Sequence, residues 1–349
     1  MEVYIGVDFH PHQQTAAWCD KETGETESVT LHHDLEKVKE FYSSFPKPSV
    51  IGIEASSRAL WFEKLMDETG HKLLVGNPEK IRKRALSRHK NDRLDAELIL
   101  TLLLRDEFPA VWRRSSEANQ IMDILRLRQK LVSARTTIYN RLQALAHSAC
   151  LPKGRMKTLH YQLMLKEAEL DEGGELQRSH LFDLLEDHNQ HILDIERWLK
   201  SKAKDDKRVG LLMTQSGVGY LTALAVVNVL GDISRFDRVA KQVTNFVGYD
   251  SLDKSTGGKR RFGSISKKGS PLLRFLLGQA AMIAIRQDIR LRTFYKRLAK
   301  RKPKPVVKVA TARKLLVKLS IMLRDNISAQ EFDRRGSTVG NARVARDLK

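Results

Sequence analysis

The first 76 residues alternate between short apolar runs and amphipathic stretches in an order that few folds accommodate. Val-Tyr-Ile-Gly-Val-Asp-Phe-His, at 3–10, reads as a buried strand. Two more strand-like runs follow at 14–19 and 27–32, with Glu22-Thr23-Gly24 as the turn between them. A helical stretch at 35–45, a strand at 49–55, a helix through Trp61, Phe62, Leu65 and Met66, and a strand at 72–76 complete the series. Strands joined by tight turns pair antiparallel, whereas a helix between two strands allows a parallel crossover. The prediction is an α/β domain with three antiparallel strands first and crossover units after.

That order is the one expected of the ribonuclease-H-like fold, and four acids fall at telling places in it. Asp8 lies inside the first apolar strand, where a charged side chain is costly unless it binds something. Glu54 ends the next long apolar strand, and Asp92 and Asp95 are three apart at a helix start, so they share a face. Taken singly, Asp92 reads as a helix cap, Asp95 as a first-turn acid and Glu54 as ambiguous. Together, four carboxylates would hold two Mg²⁺ ions about 3.5–4 Å apart, suited to in-line attack on a phosphodiester. Oxygen ligands favour Mg²⁺ or Mn²⁺ over zinc. His10 and His12 flank Asp8, but histidines after a strand are common surface residues, and no zinc site is assigned.

Beyond residue 117 the pattern turns helical. Ile124, Leu127, Leu131, Ala134, Ile138, Leu142 and Leu145 step by three and four, as in a coiled-coil seam. Leu181, Leu184, Ile192, Ile195 and Leu199 form a second such stretch, and the pair makes either an antiparallel hairpin or a dimer contact. The expected division is an α/β catalytic domain at 1–112, a helical coiled-coil connector at 113–208, a mainly α-helical C-terminal domain at 209–325 and a loose tail at 326–349.

The net charge of +20 is concentrated in one place. Residues 254–324 hold 21 Lys or Arg and a single acid, Asp288, while the rest of the chain carries 41 of each sign. Such a block, interleaved with apolar residues, points to a polyanionic partner. Ser216-Gly217-Val218-Gly219 resembles the hairpin of helix-hairpin-helix modules, whose amides hold phosphates, although a plain helix-start turn explains it equally well. No apolar run reaches the ~20 residues of a membrane span, and the N-terminus does not read as a signal peptide. With only Cys19 and Cys150 there is no disulfide framework, and a reducing, cytoplasmic setting fits.

Asp8 in Ile-Gly-Val-Asp, Glu54 in Gly-Ile-Glu-Ala, and Asn91-Asp92-Arg93-Leu94-Asp95-Ala96 together resemble the DEDD transposases of bacterial insertion sequences, a family that includes bridge-RNA-guided recombinases and Piv-type invertases. The second half resembles that family's second domain, through Ser216-Gly217-Val218-Gly219, Gly231-Asp232-Ile233-Ser234-Arg235-Phe236, Ser255-Thr256-Gly257-Gly258-Lys259-Arg260-Arg261 and Ser266-Lys267-Lys268-Gly269. The resemblance runs from Tyr4 to about Arg324. It implies a RuvC-like first domain whose metal ligands match Asp8, Glu54, Asp92 and Asp95, and a serine nucleophile matching Ser255 that links covalently to DNA. It further implies a structured guide RNA, homo-oligomers (dimer or tetramer) with composite sites, and a bacterial, nucleoid-associated protein. Ser255 lies in a glycine-rich stretch beside Lys259, Arg260 and Arg261, where cations can stabilise a pentavalent phosphate. With these three, Gly217, Gly219, Lys267 and Lys268 are the expected nucleic-acid contacts. The competing reading is a RuvC-like nuclease or junction resolvase that uses the same acids and water.

Overall fold

The computed structural model describes residues 2–56, 59–84, 91–253 and 262–337. Two compact units divide the chain, Met1–Ser116 and Glu117–Lys349.

In the first unit, β1 (Val3–Phe9), β2 (Gln13–Asp20), β3 (Thr26–His32), α1 (Leu35–Ser43), β4 (Val50–Glu54), α2 (Leu60–Thr69), β5 (Lys72–Gly76), α3 (Pro78–Arg82) and α4 (Asp92–Leu104) follow one another. The sheet order is β3-β2-β1-β4-β5. β1, β2 and β3 pair antiparallel, and β4 and β5 run parallel to β1, as the tight turns and the helical crossovers require. This is the mixed α/β sheet expected of a ribonuclease-H-like domain.

Strand alternation decides what each face of β1 meets. Val3, Ile5 and Val7 are buried with Ile51 and Ile53 of β4, Val38 and Tyr42 of α1, and Phe62, Leu65 and Met66 of α2. The other face carries Tyr4, Gly6 and Asp8. There, Tyr4 packs with Ala96 and Leu100 of α4. A Cβ on Gly6 would stand 2.3 Å from the Ala96 carbonyl oxygen and 2.4 Å from the Leu100 nitrogen. One on Gly52 would stand 2.9 Å from Leu103 Cδ1. Gly6 therefore sets how closely α4 lies on β1. Gly6→Ala forces backbone to move, and we expect a loss of about 1–3 kcal/mol, read as a lower urea midpoint for the first unit. An unchanged midpoint would mean that α4 gives way freely.

The second unit is mostly helical: α5 (Ser116–Ser148), α6 (Leu159–Glu167), α7 (Glu172–Asp205), α8 (Lys207–Met213), α9 (Tyr220–Leu230), α10 (Val239–Val247), α11 (Pro271–Ala284), α12 (Ile289–Ala299), α13 (Lys304–Asp325) and α14 (Ala329–Ser337). Two short antiparallel strands, β6 (Ser251–Asp253) and β7 (Phe262–Ile265), lie between α10 and α11. Thr222–Leu230 of α9 is buried at every residue, against α7, α8 and α11. Among the described residues, no helix is long and apolar enough to cross a membrane.

Two expectations are refined. The long helices form and run antiparallel within one chain, joined by Lys202–Glu117, Arg128–Glu196 and Arg135–Asn189 contacts. The predicted seams are buried in part: Ile138, Leu142, Leu145, Ile192 and Leu199 are buried, while Leu127 and Leu184 are 44% and 46% exposed and Leu125 and Leu185 are buried instead. The reason is that α5 changes partners along its length. Ile121, Met122 and Leu125 join the core of the C-terminal helices, and Ile138, Leu142 and Leu145 pack with Tyr161 and Leu165 of α6 and Leu185 of α7.

The tail expected from 326 onward contains α14. Phe332 is buried, and Lys318 Nζ, itself buried, lies 2.9 Å from Asp333 Oδ1 and 3.0 Å from Asp288 Oδ2 at the start of α12. Three buried apolar residues, Ile327, Ala329 and Phe332, and one buried ion pair are too few to show as periodicity.

Candidate active site

Asp8 is near the end of β1, and the parallel register of β1 with β4 runs Tyr4–Val50 to Val7–Ile53, so Asp8 and Glu54 are the next step on adjacent strands. The α4 helix begins nearby for local reasons. Asn91 caps it, its side chain accepting from the Arg93 amide at 3.0 Å, and Asp92 and Asp95 occupy the first turn. A helix N-terminus favours negative charge. Close packing at Gly6 brings that turn to Asp8.

Three side-chain atoms able to ligate a metal meet there. His10 Nε2 is 3.0 Å from Asp8 Oδ2 and 3.3 Å from Asp92 Oδ1, and Asp8, His10 and Asp92 each offer an atom within 4.8 Å of the others. The Asp8 side chain is only 15% exposed. Burial pushes its carboxyl above the usual range, His10 opposes this, and the charges of Asp95 and Asp92 push further upward. Asp95 is thus an electrostatic neighbour of Asp8. Glu54 shares the strand register, but its carboxylate faces Arg82 Nη2 of α3 at 3.6 Å.

From sequence alone, His10 is expected to be a surface residue. The available signal was its spacing, because residues two apart on a strand share a face. The turn also holds it: the His10 amide donates to the Gln13 carbonyl at 2.9 Å, and the His33 amide donates to the His12 carbonyl at 2.9 Å.

In the second unit the expected contacts separate. Gly217 has φ +83°, and a Cβ there would lie 2.5 Å from the Ala284 nitrogen, so packing on α11 accounts for that glycine. Gly219 precedes α9 with nothing within 4 Å of an added Cβ, which leaves its backbone approachable. Lys267 and Lys268 are exposed on a braced loop. The Ser266 amide donates to the Asp250 carbonyl at 2.8 Å, and Arg274 Nη1 donates to the Val247 and Gly269 carbonyls at 2.8 Å. Ser255, Lys259, Arg260 and Arg261 fall in sequence between β6 and β7, outside the described residues.

Comparison with known proteins gives this architecture a class. Residues 5–150 match the DEDD transposase family of IS110 type, and residues 209–296 match the family described as Transposase IS116/IS110/IS902. The N-terminal sheet thus lies in the part of the chain that matches a DEDD transposase, a class of DNA-processing enzyme that uses divalent metal.

Individual relatives agree. A Pseudomonas aeruginosa protein named "Probable family 20 transposase" is 31% identical over 302 residues, covering 82% of this chain and 88% of its own. The transposase for insertion sequence element IS1111A of Coxiella burnetii is 31% identical over 57% of this chain and 56% of its own. That for IS1328 of Yersinia enterocolitica is 28% identical over 80% and 83%. The chain belongs to the IS110/IS116/IS902 family of transposases.

Proposed function

We propose that this transposase cuts and rejoins DNA strands with metal held by Asp8, Glu54, Asp92 and Asp95 and with Ser255 as nucleophile. The observation that carries the reading is the convergence of Asp8 and Asp92, from a strand and a helix, at the C-terminal end of the central strand. Two carboxylates with a third acid close by form a donor set suited to a hard divalent cation, Mg²⁺ or Mn²⁺. When bound, such an ion supplies electrophilic stabilisation of the phosphodiester oxygens.

The chain's own residues would divide the remaining work. Asp8 and Asp92 anchor the site, Asp95 keeps it electronegative, and Glu54 exchanges its Arg82 partner for the shared centre. The Ser255 hydroxyl attacks phosphorus: the Oγ–P bond forms as a P–O bond to a deoxyribose breaks, the serine loses its proton, and the freed sugar oxygen gains one. Attack by the free strand end on the phosphoserine reverses these bonds and rejoins DNA. Lys259, Arg260 and Arg261 offset charge on the phosphate, and Gly219, Lys267 and Lys268 contact backbone.

The reading includes an element-encoded guide RNA, assembly as a dimer or tetramer, and work at the bacterial nucleoid in the cytoplasm. Support for the RNA and DNA partners is the basic block at 254–324. For the region at 113–208 we propose a spacing and assembly role.

The test combines purified protein, labelled element-end DNA and RNA transcribed from the element's flanks. Strand cleavage should appear with Mg²⁺ or Mn²⁺ and stop on chelation with EDTA. Equal cleavage in EDTA would remove the metal centre from the reading.

A further inference from the structure

We infer that His10 is a direct ligand of the metal centre, giving it one imidazole nitrogen among its carboxylate oxygens. This rests on the metal site proposed above and adds to it a residue outside the four acids.

Geometry is the first argument. His10 Nε2 lies 3.0 Å from the Asp8 oxygen and 3.3 Å from that of Asp92, so it faces both anchors at once. Neighbouring donors around an octahedral ion with bonds of about 2.1 Å stand roughly 3 Å apart. Both nitrogen–oxygen distances are therefore those of neighbouring ligands on one ion, and the three atoms lie within 4.8 Å of one another.

Placement is the second argument. A histidine on a free loop would have to be ordered on binding, but this one is ordered by its neighbours. Phe9 packs at 4.7 Å from the His33 ring and 5.8 Å from Trp61. After His10, His33 Nδ1 lies 3.2 Å from the Pro11 carbonyl oxygen, which ties the turn to the end of β3. None of these contacts uses the His10 side chain, so the imidazole can be removed without dismantling the turn.

The chemical consequence is selectivity. Mg²⁺ prefers oxygen donors throughout, whereas an imidazole favours first-row transition ions. The site should accordingly prefer Mn²⁺ over Mg²⁺ by more than four carboxylates alone would.

The experiment uses full-length, tag-free protein and Mn²⁺ alone. Pulsed electron paramagnetic resonance reads ¹⁴N coupling to the ion, and titration reads its affinity, with Mg²⁺ as competitor. The wild type should bind Mn²⁺ with nitrogen coupling. His10→Ala should still bind but lose the coupling, with Mn²⁺ affinity reduced about tenfold or more and Mg²⁺ affinity changed much less. His12→Ala, on the same turn, should keep the coupling.

Binding that Asp8→Asn abolishes, but that shows no nitrogen coupling in the wild type, would overturn the His10 assignment and leave the metal centre standing. Binding unaffected by Asp8→Asn would overturn both. Circular dichroism of His10→Ala and His10→Gln checks that the fold is retained, and coupling that survives in both folded variants also counts against His10.

Discussion

Asp8→Asn is expected to abolish strand cleavage, by about 10³-fold or more, while DNA and RNA binding persist. The size follows from the several kcal/mol that metal stabilisation of a phosphoryl transition state supplies, at about 1.4 kcal/mol per tenfold in rate. Binding persists because the basic block, at 254–324, is remote in sequence from Asp8.

The same variant makes an opposite prediction for stability. Burial and the charges of Asp95 and Asp92 hold the Asp8 carboxyl above its ordinary range. A raised carboxyl pKa means that the folded protein binds this proton more tightly than the unfolded chain does. The resulting stabilisation is fully present below the unfolded pKa and is lost as pH rises through the folded one. At neutral pH without metal, the ionised Asp8 is therefore a burden on the fold, and asparagine should relieve it. The metal-free Tm of Asp8→Asn should equal or exceed that of the wild type, by on the order of 2 °C. Adding Mg²⁺ or Mn²⁺ should raise the wild-type Tm and leave the variant's unmoved, since only the native site binds the ion. Retained cleavage would take Asp8 out of the metal centre. A sharply lowered Tm would make Asp8 a structural residue instead.

Ser255→Ala is expected to eliminate a covalent protein–DNA adduct altogether. With Mg²⁺, guide RNA and labelled element ends, the wild type should give a slow-migrating species on denaturing gels, and the variant none. The alanine removes only a hydroxyl, so binding to DNA should hold within about threefold. If the variant cleaves as strongly as the wild type and neither forms an adduct, water is the nucleophile. The protein would then work as a hydrolytic nuclease, with Ser255 an ordinary turn residue.

Much of the N-terminal unit was legible because its signals are local. Buried strands such as Val3–Phe9 read as continuous apolar runs, and turn chemistry at Glu22-Thr23-Gly24 and Asn77-Pro78 marks where they end. The charge at Asp8 stood out for the same reason, an acid where the strand's own pattern calls for an apolar or small residue. The helical half was read less well. Heptad-like spacing identifies a long helix but not its neighbours, and α5 buries Leu125 rather than Leu127 because it packs against the C-terminal helices before it meets α6. Helix α14 escaped notice since Phe332 and the Lys318–Asp333 pair, 15 residues apart in sequence, anchor it together.

By itself the sequence determined the strand order, the candidate acids, the basic block and, through its motifs, the family. Only the tertiary structure decided which side chains share a site. It set His10 between Asp8 and Asp92, left the Glu54 carboxylate on Arg82, and explained Gly217 by its contact with α11. The physical reason is range. Strand and helix patterns arise from neighbours a few residues apart, whereas a donor set spanning residues 8 to 92 depends on how closely one helix can lie on one strand, and at Gly6 that is decided by a missing Cβ.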